Sequence, residues 1–476
     1  MQVEPIIETE YAGSAQKRLM FGRFKRLHFV GIGGAGMSGL GEILHNLGFT
    51  ITGSDSTPSE ITRYLSGLGI GIQPEHTGDN VRETDVVVIS SAVGSDNPEV
   101  IAAREHGIPV IKRAEMLGEL MRLKFSIGVA GTHGKTTTTS MIGRILQTAG
   151  LDPTLVVGGV VSELGTGASL GQGDYLVAEA DEYDRSIYAM YPSLAVVLNI
   201  ESDHMDCYRD LEDLKQAFLE YMNRVPFYGS AILSADDPNV RSLIAEVTRP
   251  HATFGFTPDA DFRAVNVEAQ DWGSSFAVYH HEELLGQVSV GIPGRHNVLN
   301  AVAAVAACME LEVPFDKIAE GLAGFSGVGR RFELVGQVND VIVIDDYAHH
   351  PTEIEATIAT AKQTYKRRLV VVFQPHLYSR TRQFLPEFAT VLARADWCVL
   401  TDIYPAREEP IPGLSSESIK EEALRQGYKN FSYVGTKENA LPELKGMIKP
   451  GDVVMTVGAG SITHIRGMVL EMLQGI

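Results

Sequence analysis

The chain has 476 residues, of which 44% are hydrophobic and 21% charged, as in ordinary folded globular proteins. Its formal net charge of −20 at pH 7 would repel a phosphate backbone, which argues against general binding to nucleic acid or to an anionic membrane surface. Its three cysteines are widely separated and form no CxxC pair, which argues against a disulfide framework and a structural zinc site and fits a reducing compartment.

The N-terminal segment does not resemble a secretory signal. Its first 24 residues carry Glu4, Glu8 and Glu10 and contain no continuous apolar core. We therefore expect a cytoplasmic protein.

The first glycine loop, GIGGAG at residues 31–36, follows the strand pattern LHFV and opens the helical pattern GMSGLGEILHNLG. The backbone N–H groups of such a loop, at the N-terminus of a helix, are suited to binding phosphate. Together with Asp55 in TGSD, the spacing alone favours a dinucleotide-dependent dehydrogenase, but a GxGxxG motif is a weak signal by itself.

A second loop, GTHGKTTT at residues 131–138, lies between the strand pattern FSIGVA and a helical pattern that ends near Gly150. This arrangement presents backbone N–H groups and the positive end of the helix dipole to a phosphate. Lys135 is then expected to reach the β- and γ-phosphates, and the hydroxyl of Thr136 to ligate Mg²⁺. Because position 129 is valine, the strict GxxxxGK[ST] spacing is not met, and a purely structural turn is the alternative.

Magnesium needs further oxygen ligands, and the next predicted strand ends in the acidic run AEADEYD. Glu179, nearest the end of that strand, is our first choice, and a solvated acidic turn is the alternative. The following strand ends in NIESDHMD, where His204 is a second candidate ligand, although a lone histidine is more often structural. Both strand ends are expected at one edge of a parallel sheet.

The helical pattern GRHNVLNAVAAVAAC places Asn297 and Asn300 three residues apart, on one face, where two amides can pair with adenine. Helix capping is the alternative role for either asparagine. The apolar stretch Ala301 to Cys308 is far too short to span a bilayer. No NKxD-like guanine signature is visible, so a GTPase switch would lack a base-recognition motif.

Three further segments, RRFE, IDDYAHHPTEI and FQPHLYSRTR, bring basic and acidic side chains to predicted strand ends in the last third of the chain. Adjacent His349 and His350 leave a metal site open as an alternative. A basic cluster that faces a γ-phosphate and a carboxylate explains the set more economically.

Short apolar runs alternate with helical patterns almost throughout, which predicts an α/β protein with parallel sheets covered by helices. At roughly 150 residues per domain, the length fits three domains. We predict a Rossmann-like domain over residues 1–122, a central P-loop ATPase-like parallel sheet with a small antiparallel patch over 123–326, and a C-terminal Rossmann-like α/β domain over 327–476.

In this order, GTHGKTTT, AEADEYD, NIESDHMD, GRHNVLN, DDYAHHPTE and FQPHLYSRTR resemble the motifs of the Mur ligases of bacterial wall synthesis, from about Lys25 to the C-terminus. The resemblance is to the branch that joins L-alanine to UDP-N-acetylmuramate with ATP and Mg²⁺, through an acyl phosphate. A sister ligase that attaches a preformed peptide to the same sugar nucleotide is the alternative. We further expect a cytoplasmic enzyme that is a monomer or a weak homodimer and neither binds nucleic acid nor inserts into a membrane.

The resemblance also implies a separate diphosphate for each glycine loop. The first domain would hold UDP-N-acetylmuramate, with the diphosphate and uridine contacted by Gly33, Ala35, Gly36, Asp55, Ser90 and Ser91. Asp55 and the two serines have turn capping as an alternative role.

The middle and third domains would hold ATP. The implied contacts are Gly131, Thr132, His133, Gly134, Lys135, Thr136, Thr137, Asn297, Asn300, Arg331 and Asp346. The metal ligands would be Thr136, Glu179 and His204, and L-alanine would be held by Tyr347, His349, His376 and Arg380. Catalysis is expected to depend on Lys135, His204, Arg331 and Asp346.

Overall fold

The structure is a computed structural model that describes residues 21–158, 168–203, 205, 207–270, 272–406 and 408–475. The chain forms two compact units. The first contains the residues up to Ala264 together with Val278–Gly286 and Asn300–Leu322, and the second contains Val265–Ala277, Gln287–Leu299 and Ala323–Ile476. The α/β class is confirmed, because mainly parallel strands alternate with helices in both units. The domain boundaries near residues 123 and 327 stay a prediction.

A five-stranded parallel sheet forms the beginning of the first unit, with the strand order β3-β2-β1-β4-β5. Its strands are β1 (Arg26–Val30), β2 (Thr50–Ser54), β3 (Gly71–Gln73), β4 (Val86–Ile89) and β5 (Val110–Lys112). The helices that accompany it are α1 (Ala35–Asn46), α2 (Glu60–Gly67), α3 (Pro98–Glu105) and α4 (Arg113–Met121). Strand β4 consists only of valine and isoleucine (VVVI), and the last four residues of β1 are buried, as expected for a sheet that is covered on both faces.

A ten-stranded sheet follows, with the order β15-β14-β13-β12-β11-β10-β6-β9-β7-β8. Its strands are β6 (Phe125–Ala130), β7 (Thr154–Val156), β8 (Ala168–Ser169), β9 (Tyr175–Ala180), β10 (Leu194–Val197), β11 (Ser230–Ser234), β12 (His251–Gly255), β13 (Phe262–Gln270), β14 (Gly273–His280) and β15 (Glu283–Val290). Strands β13 to β15, where we expected the antiparallel patch, are neighbours at one edge, and each has residues in both units.

Helices α5 (Lys135–Thr148), α6 (Leu211–Asn223), α7 (Pro238–Leu243), α8 (Arg295–Glu310) and α9 (Phe315–Ala323) belong to this part of the chain. Helix α5 buries Met141, Ile142, Ile145 and Leu146 completely. It ends just before Gly150, whose positive φ of 77° is suited to glycine. This packing fixes the N-terminus of α5 at the carboxyl end of β6.

The second unit contains a six-stranded sheet with the order β16-β17-β21-β18-β19-β20. Its strands are β16 (Glu333–Val338), β17 (Val341–Asp346), β18 (Leu369–Phe373), β19 (Trp397–Leu400), β20 (Phe431–Tyr433) and β21 (Val453–Val457). Its helices are α10 (Pro351–Tyr365), α11 (Tyr378–Gln383), α12 (Leu385–Leu392), α13 (Glu417–Arg425), α14 (Ala440–Met447) and α15 (Arg466–Gln474). Only β16 pairs antiparallel, with β17, and a separate hydrophobic core lies on each face of the sheet.

The segments singled out in the sequence follow the carboxyl ends of parallel strands. The first glycine loop follows β1, the second follows β6, and the acidic run covers the last residues of β9 and the segment after it. This is the edge where open α/β sheets bind ligands. Within the described residues, no helix combines the length and the apolar character that crossing a bilayer requires.

Candidate nucleotide and substrate site

The first glycine loop is held to the end of strand β2. The N–H groups of Gly31 and Ile32 donate to the carbonyl oxygen of Ser54 at 2.8 and 3.1 Å, and the N–H of Gly33 donates to Asp55 Oδ2 at 2.8 Å. A Cβ at Gly33 would lie 2.7 Å from the same Oδ2, so the contact with Asp55 requires glycine. Asp55 therefore contacts the loop directly, through the N–H of Gly33.

Helix α1 leaves its N-terminus open for a ligand. The helix begins at Ala35, and no side chain caps it. The N–H of Met37 donates to the carbonyl of Gly34 at 2.9 Å, so the N–H groups that precede Met37 are the ones left for an anion. Ser90 and Ser91 follow β4 at the carboxyl edge of the same sheet, and Ser90 Oγ accepts a hydrogen bond from the N–H of Ala92 at 3.3 Å. Ser90 therefore does cap a turn, the alternative role considered for it.

The second glycine loop is held by Asn199, which the sequence analysis did not single out. The N–H of His133 donates to Asn199 Oδ1 at 2.8 Å, and Asn199 Nδ2 donates to the carbonyl of His133 at 3.0 Å. The N–H of Thr132 donates to the backbone carbonyl of Asn199 at 3.1 Å. Gly131 and Gly134 have positive φ values of 142° and 85°, so the loop conformation itself requires glycine at both positions.

The ammonium group of Lys135 turns back onto its own loop. Its Nζ lies 2.9 and 3.2 Å from the two carboxylate oxygens of Glu182, whose side chain is 1% exposed, and it also donates to the carbonyl oxygens of Gly131 and Thr132. Burial alone would lower the pKa of Lys135, but the nearby carboxylates of Glu182, Asp181 and Glu179 outweigh burial and raise the pKa above its ordinary value. Lys135 is therefore a permanent cation.

The four carboxylates of the acidic run have different surroundings. Glu182 pairs with Lys135, and Asp184 pairs with Lys112 at 2.8 Å. Glu179 and Asp181 both line a cleft that is open to solvent, and Glu179 Oε1 also accepts a hydrogen bond from the N–H of Gly158 at 2.9 Å. These two carboxylates are thus the ones that face open space.

The oxygen donors near the second loop fit Mg²⁺, a hard cation that prefers oxygen ligands. Thr136 is the second residue of helix α5, which follows β6 after the glycine loop, and β6 and β9 pair side by side, with Ala130 opposite Ala180. Thr136 and Glu179 thus belong to adjacent strand ends. His204, the third expected ligand, lies outside the described residues.

Helix α8 brings Asn300 to the second loop. A Cβ at Gly134 would lie 2.6 Å from Asn300 Oδ1, so the amide touches the loop at its most restricted position. Asn297 is also buried on α8, and its Nδ2 donates to the carbonyl of Pro293 at 2.7 Å. Asn297 thus bonds to the segment that precedes its own helix, by donating to a carbonyl and not by accepting a helix N–H as an N-cap would.

In the second unit, Asp346 is buried at the end of β17. Its carboxylate accepts hydrogen bonds from the N–H groups of Phe332 and Ala348, both at 2.7 Å, and from Thr357 Oγ1 at 2.9 Å. Burial raises the pKa of Asp346 to about 6, although the charge of Arg331 and these hydrogen bonds oppose the increase.

The four side chains that we expected to hold the amino acid form one connected cluster in the second unit. The rings of Tyr347 and His349 are 5.6 Å apart, and those of His349 and His376 are 5.9 Å apart. Arg380 Nη1 lies 3.4 Å from His376 Nδ1, and the ring of Tyr404, which the sequence analysis missed, stacks on His376 at 5.6 Å.

Glu353 on helix α10 links this cluster to Arg331. Its Oε2 lies 3.2 Å from His349 Nδ1, and its Oε1 lies 3.5 Å from Arg331 Nη1. His350 instead caps α10, because its Nδ1 accepts the N–H of Thr352 at 3.4 Å. The two adjacent histidines therefore have different surroundings.

Three protein-family models match this chain. They are described as the Mur ligase family, catalytic domain, over residues 26–125, the Mur ligase middle domain over 129–308, and the Mur ligase, glutamate ligase domain over 330–460.

Curated proteins match almost the whole chain. UDP-N-acetylmuramate–L-alanine ligase of Geotalea uraniireducens is 50% identical over 456 residues, covering 96% of this chain and 100% of that protein. The ligase of the same name from Geobacter sulfurreducens is 50% identical over 458 residues, covering 96% and 99%.

Solved structures match with similar coverage. The UDP-N-acetylmuramate–alanine ligase of Thermotoga maritima has a TM-score of 0.79 at 30% identity and covers 94% of this chain and 99% of its own. A murein peptide ligase of Psychrobacter arcticus has a TM-score of 0.70 at 26% identity and covers 95% and 99%.

Proposed function

Because the chain belongs to the Mur ligase family, we propose that it joins L-alanine to the lactoyl carboxylate of UDP-N-acetylmuramate at the expense of ATP, in peptidoglycan precursor synthesis. The observation that carries this assignment is the 50% identity, over 96% of the chain, to ligases named for that reaction. The alternative, attachment of a preformed peptide, has weaker support, because the murein peptide ligase is only 26% identical.

The reaction needs an activated acyl group, because a carboxylate oxygen is a poor leaving group. A lactoyl oxygen attacks the γ-phosphorus of ATP, the bond between that phosphorus and the β–γ bridging oxygen breaks, and ADP leaves with the electron pair. The amine of alanine then attacks the carbonyl carbon of the acyl phosphate. The tetrahedral intermediate expels inorganic phosphate, and the nitrogen gives up one proton, which leaves the amide.

The second glycine loop is suited to hold the triphosphate of ATP. Its backbone N–H groups and the start of helix α5 favour negative charge, and Lys135 adds a fixed positive charge. For Lys135 to reach the γ-phosphate, a phosphate oxygen must replace the carboxylate of Glu182 as its partner. Asn300, which touches the same loop, is the candidate contact on helix α8.

We further propose Mg²⁺ as the metal, held by Thr136, Glu179 and His204. When bound, Mg²⁺ would neutralise phosphate oxygens and so help the lactoyl carboxylate to approach the γ-phosphate. The cluster of Tyr347, His349, His376 and Arg380 is the proposed alanine site, because the guanidinium of Arg380 is a natural partner for a carboxylate. Arg331 and Asp346 are proposed to contact ATP.

We propose a cytoplasmic location, since scattered cysteines fit a reducing compartment. Occurrence as a monomer or a weak homodimer stays a prediction.

Phosphate release from ATP and Mg²⁺ tests the function directly. We expect sustained release only when UDP-N-acetylmuramate and L-alanine are both present. The corresponding tripeptide, offered in place of alanine, should give little product. Phosphate release at the same rate without the sugar nucleotide would contradict a ligase. A preference for the tripeptide over alanine would favour the sister activity.

The variant Lys135→Ala tests whether the second loop binds ATP while the first loop binds the sugar nucleotide. Turnover should be abolished because the γ-phosphate loses its fixed cation, while UDP-N-acetylmuramate still binds in a calorimetric titration. Lys445→Ala, which removes an exposed lysine from helix α14, is the matched control and should be fully active. Loss of both turnover and sugar-nucleotide binding in Lys135→Ala would contradict the assignment of separate loops.

A further inference from the structure

Arg113, which the sequence analysis did not consider, lies directly over the first glycine loop. It is the first residue of helix α4, at the carboxyl end of β5. Its Cδ, Nε and Nη1 atoms lie 3.2, 3.3 and 3.3 Å from the position that a Cβ of Gly36 would take. Since Gly36 is the second residue of helix α1, the guanidinium packs against the first turn of that helix.

This contact explains why position 36 is glycine. The φ of Gly36 is not positive, so its backbone conformation does not require glycine. A side chain there would instead push against the guanidinium of Arg113. Gly36 thus leaves space for Arg113.

Arg113 has no protein partner in the described part of the chain. It forms no hydrogen bond or ion pair there, whereas the adjacent Lys112 pairs with Asp184. In a chain with a net charge of −20, a half-buried guanidinium without a carboxylate is a cation available to an anionic ligand.

The solvent-open cleft beside Glu179 and Asp181 gives such a ligand access. Gly36 and Arg113 line it together, and so do the carboxylates Glu179 and Asp181. Among the described residues that line it, the cleft therefore has one positive group, beside the uncapped start of α1, and two negative groups that are suited to a metal. An anion is expected beside Arg113, and away from the two carboxylates.

We propose that Arg113 binds the diphosphate of the UDP-sugar, together with the N–H groups of the first turn of α1. This inference rests on the proposed function. A guanidinium presents parallel N–H donors that match two phosphate oxygens, and the helix start adds donors on the same side. The diphosphate is favoured over the lactoyl carboxylate because Arg113 touches Gly36, in the loop assigned to that diphosphate.

Calorimetric titrations with UDP, uridine, UDP-N-acetylmuramate and ATP test the inference without any turnover. Arg113→Ala should weaken UDP and UDP-N-acetylmuramate equally, by about 10- to 100-fold, the range for a lost hydrogen bond to a charged group. Uridine and ATP should bind as before. Arg113→Lys keeps the charge but not the parallel N–H donors of the guanidinium, so its affinity for UDP should lie between those of the wild type and Arg113→Ala. Arg104→Ala, at an exposed position on helix α3, should bind UDP as the wild type does.

A double-mutant cycle with Gly36→Ala adds a structural readout. If Gly36 serves to seat Arg113, Gly36→Ala should weaken UDP binding in the wild type and have a much smaller effect in Arg113→Ala. If the two substitutions have additive effects on UDP binding, the contact with Arg113 is not the reason why position 36 is glycine.

Three results would overturn the inference. Unchanged UDP binding in Arg113→Ala would remove Arg113 from the site. If Arg113→Ala weakens the binding of UDP-N-acetylmuramate but not of UDP, Arg113 contacts the lactoyl carboxylate instead of the diphosphate. If the binding of ATP is weakened equally, the substitution has damaged the fold in general. If the wild type itself did not bind UDP, the proposed function would fail first.

Discussion

Replacement of Glu99 by glutamine is predicted to destabilise the first unit in a pH-dependent way. The carboxylate is fully buried at the start of helix α3, where Oε1 lies 3.1 Å from His28 Nε2 and accepts Asn80 Nδ2 at 2.7 Å. Its Oε2 accepts Ser54 Oγ at 2.7 Å and lies 2.9 Å from His76 Nδ1. These groups all favour a charged carboxylate.

The size of the effect follows from the pKa of Glu99. Burial would raise that pKa, but the hydrogen bonds from His28, Asn80, Ser54 and His76 outweigh burial and lower the pKa from 4.5 to about 2. At about 1.36 kcal/mol for each pH unit, the charged form contributes about 3 kcal/mol to the free energy of unfolding. Because the pKa is lowered on folding, this contribution is complete above pH 4.5 and disappears as the pH falls towards 2.

Urea denaturation of the wild type and Glu99→Gln, from pH 7 to pH 3, measures this contribution. The variant should be less stable by about 3 kcal/mol at pH 7, and the difference should shrink by about 2 kcal/mol between pH 5 and pH 3. Glu105→Gln, at the exposed end of α3, should follow the wild type at every pH. A difference between wild type and Glu99→Gln that does not change with pH would refute the reasoning.

Three further predictions concern packing, a second buried acid and the metal. Gly118→Ala should lower the melting temperature in a thermal scan, because its Cβ would overlap the carbonyl oxygen of Ala189; an unchanged value would contradict that contact. Because the pKa of Asp346 is raised from 3.8 to about 6, the wild type should lose on the order of 3 kcal/mol of stability as the pH rises through that interval, relative to Asp346→Asn. If the free energy of unfolding of the two proteins changes with pH in the same way, the buried carboxylate of Asp346 does not have the raised pKa. EDTA should stop phosphate release, and excess Mg²⁺ should restore it; activity that persists in EDTA would exclude an essential metal.

Periodicity and loop chemistry predicted much of the fold. The strands β1, β6, β9 and β17 and the helix after each glycine loop lie where the apolar patterns indicated, because local preferences and burial agree there. The clustering of Tyr347, His349, His376 and Arg380 also agrees with the sequence, since these residues follow the ends of neighbouring parts of one sheet.

The partners of these residues could not be predicted in the same way. Glu182 was one of four acids in a short run, and only the folded chain shows that it is the one that binds Lys135. Asn199 opens the NIESDHMD motif but was not singled out, and Arg113 belongs to no motif; each contacts a loop more than sixty residues away in sequence. Such contacts depend on the relative placement of whole strands and helices, which periodicity does not specify.

The ion pair between Lys135 and Glu182 has a consequence for which anions can enter the second loop. Glu182 is tethered to the same sheet, so it competes with a diffusing anion at a high effective concentration. Sulfate or inorganic phosphate would have to break that pair with few contacts of its own. A triphosphate reaches the loop, the helix start and the lysine at once, so it can displace the carboxylate where smaller anions fail. The loop should therefore resist inhibition by the simple salts that surround it.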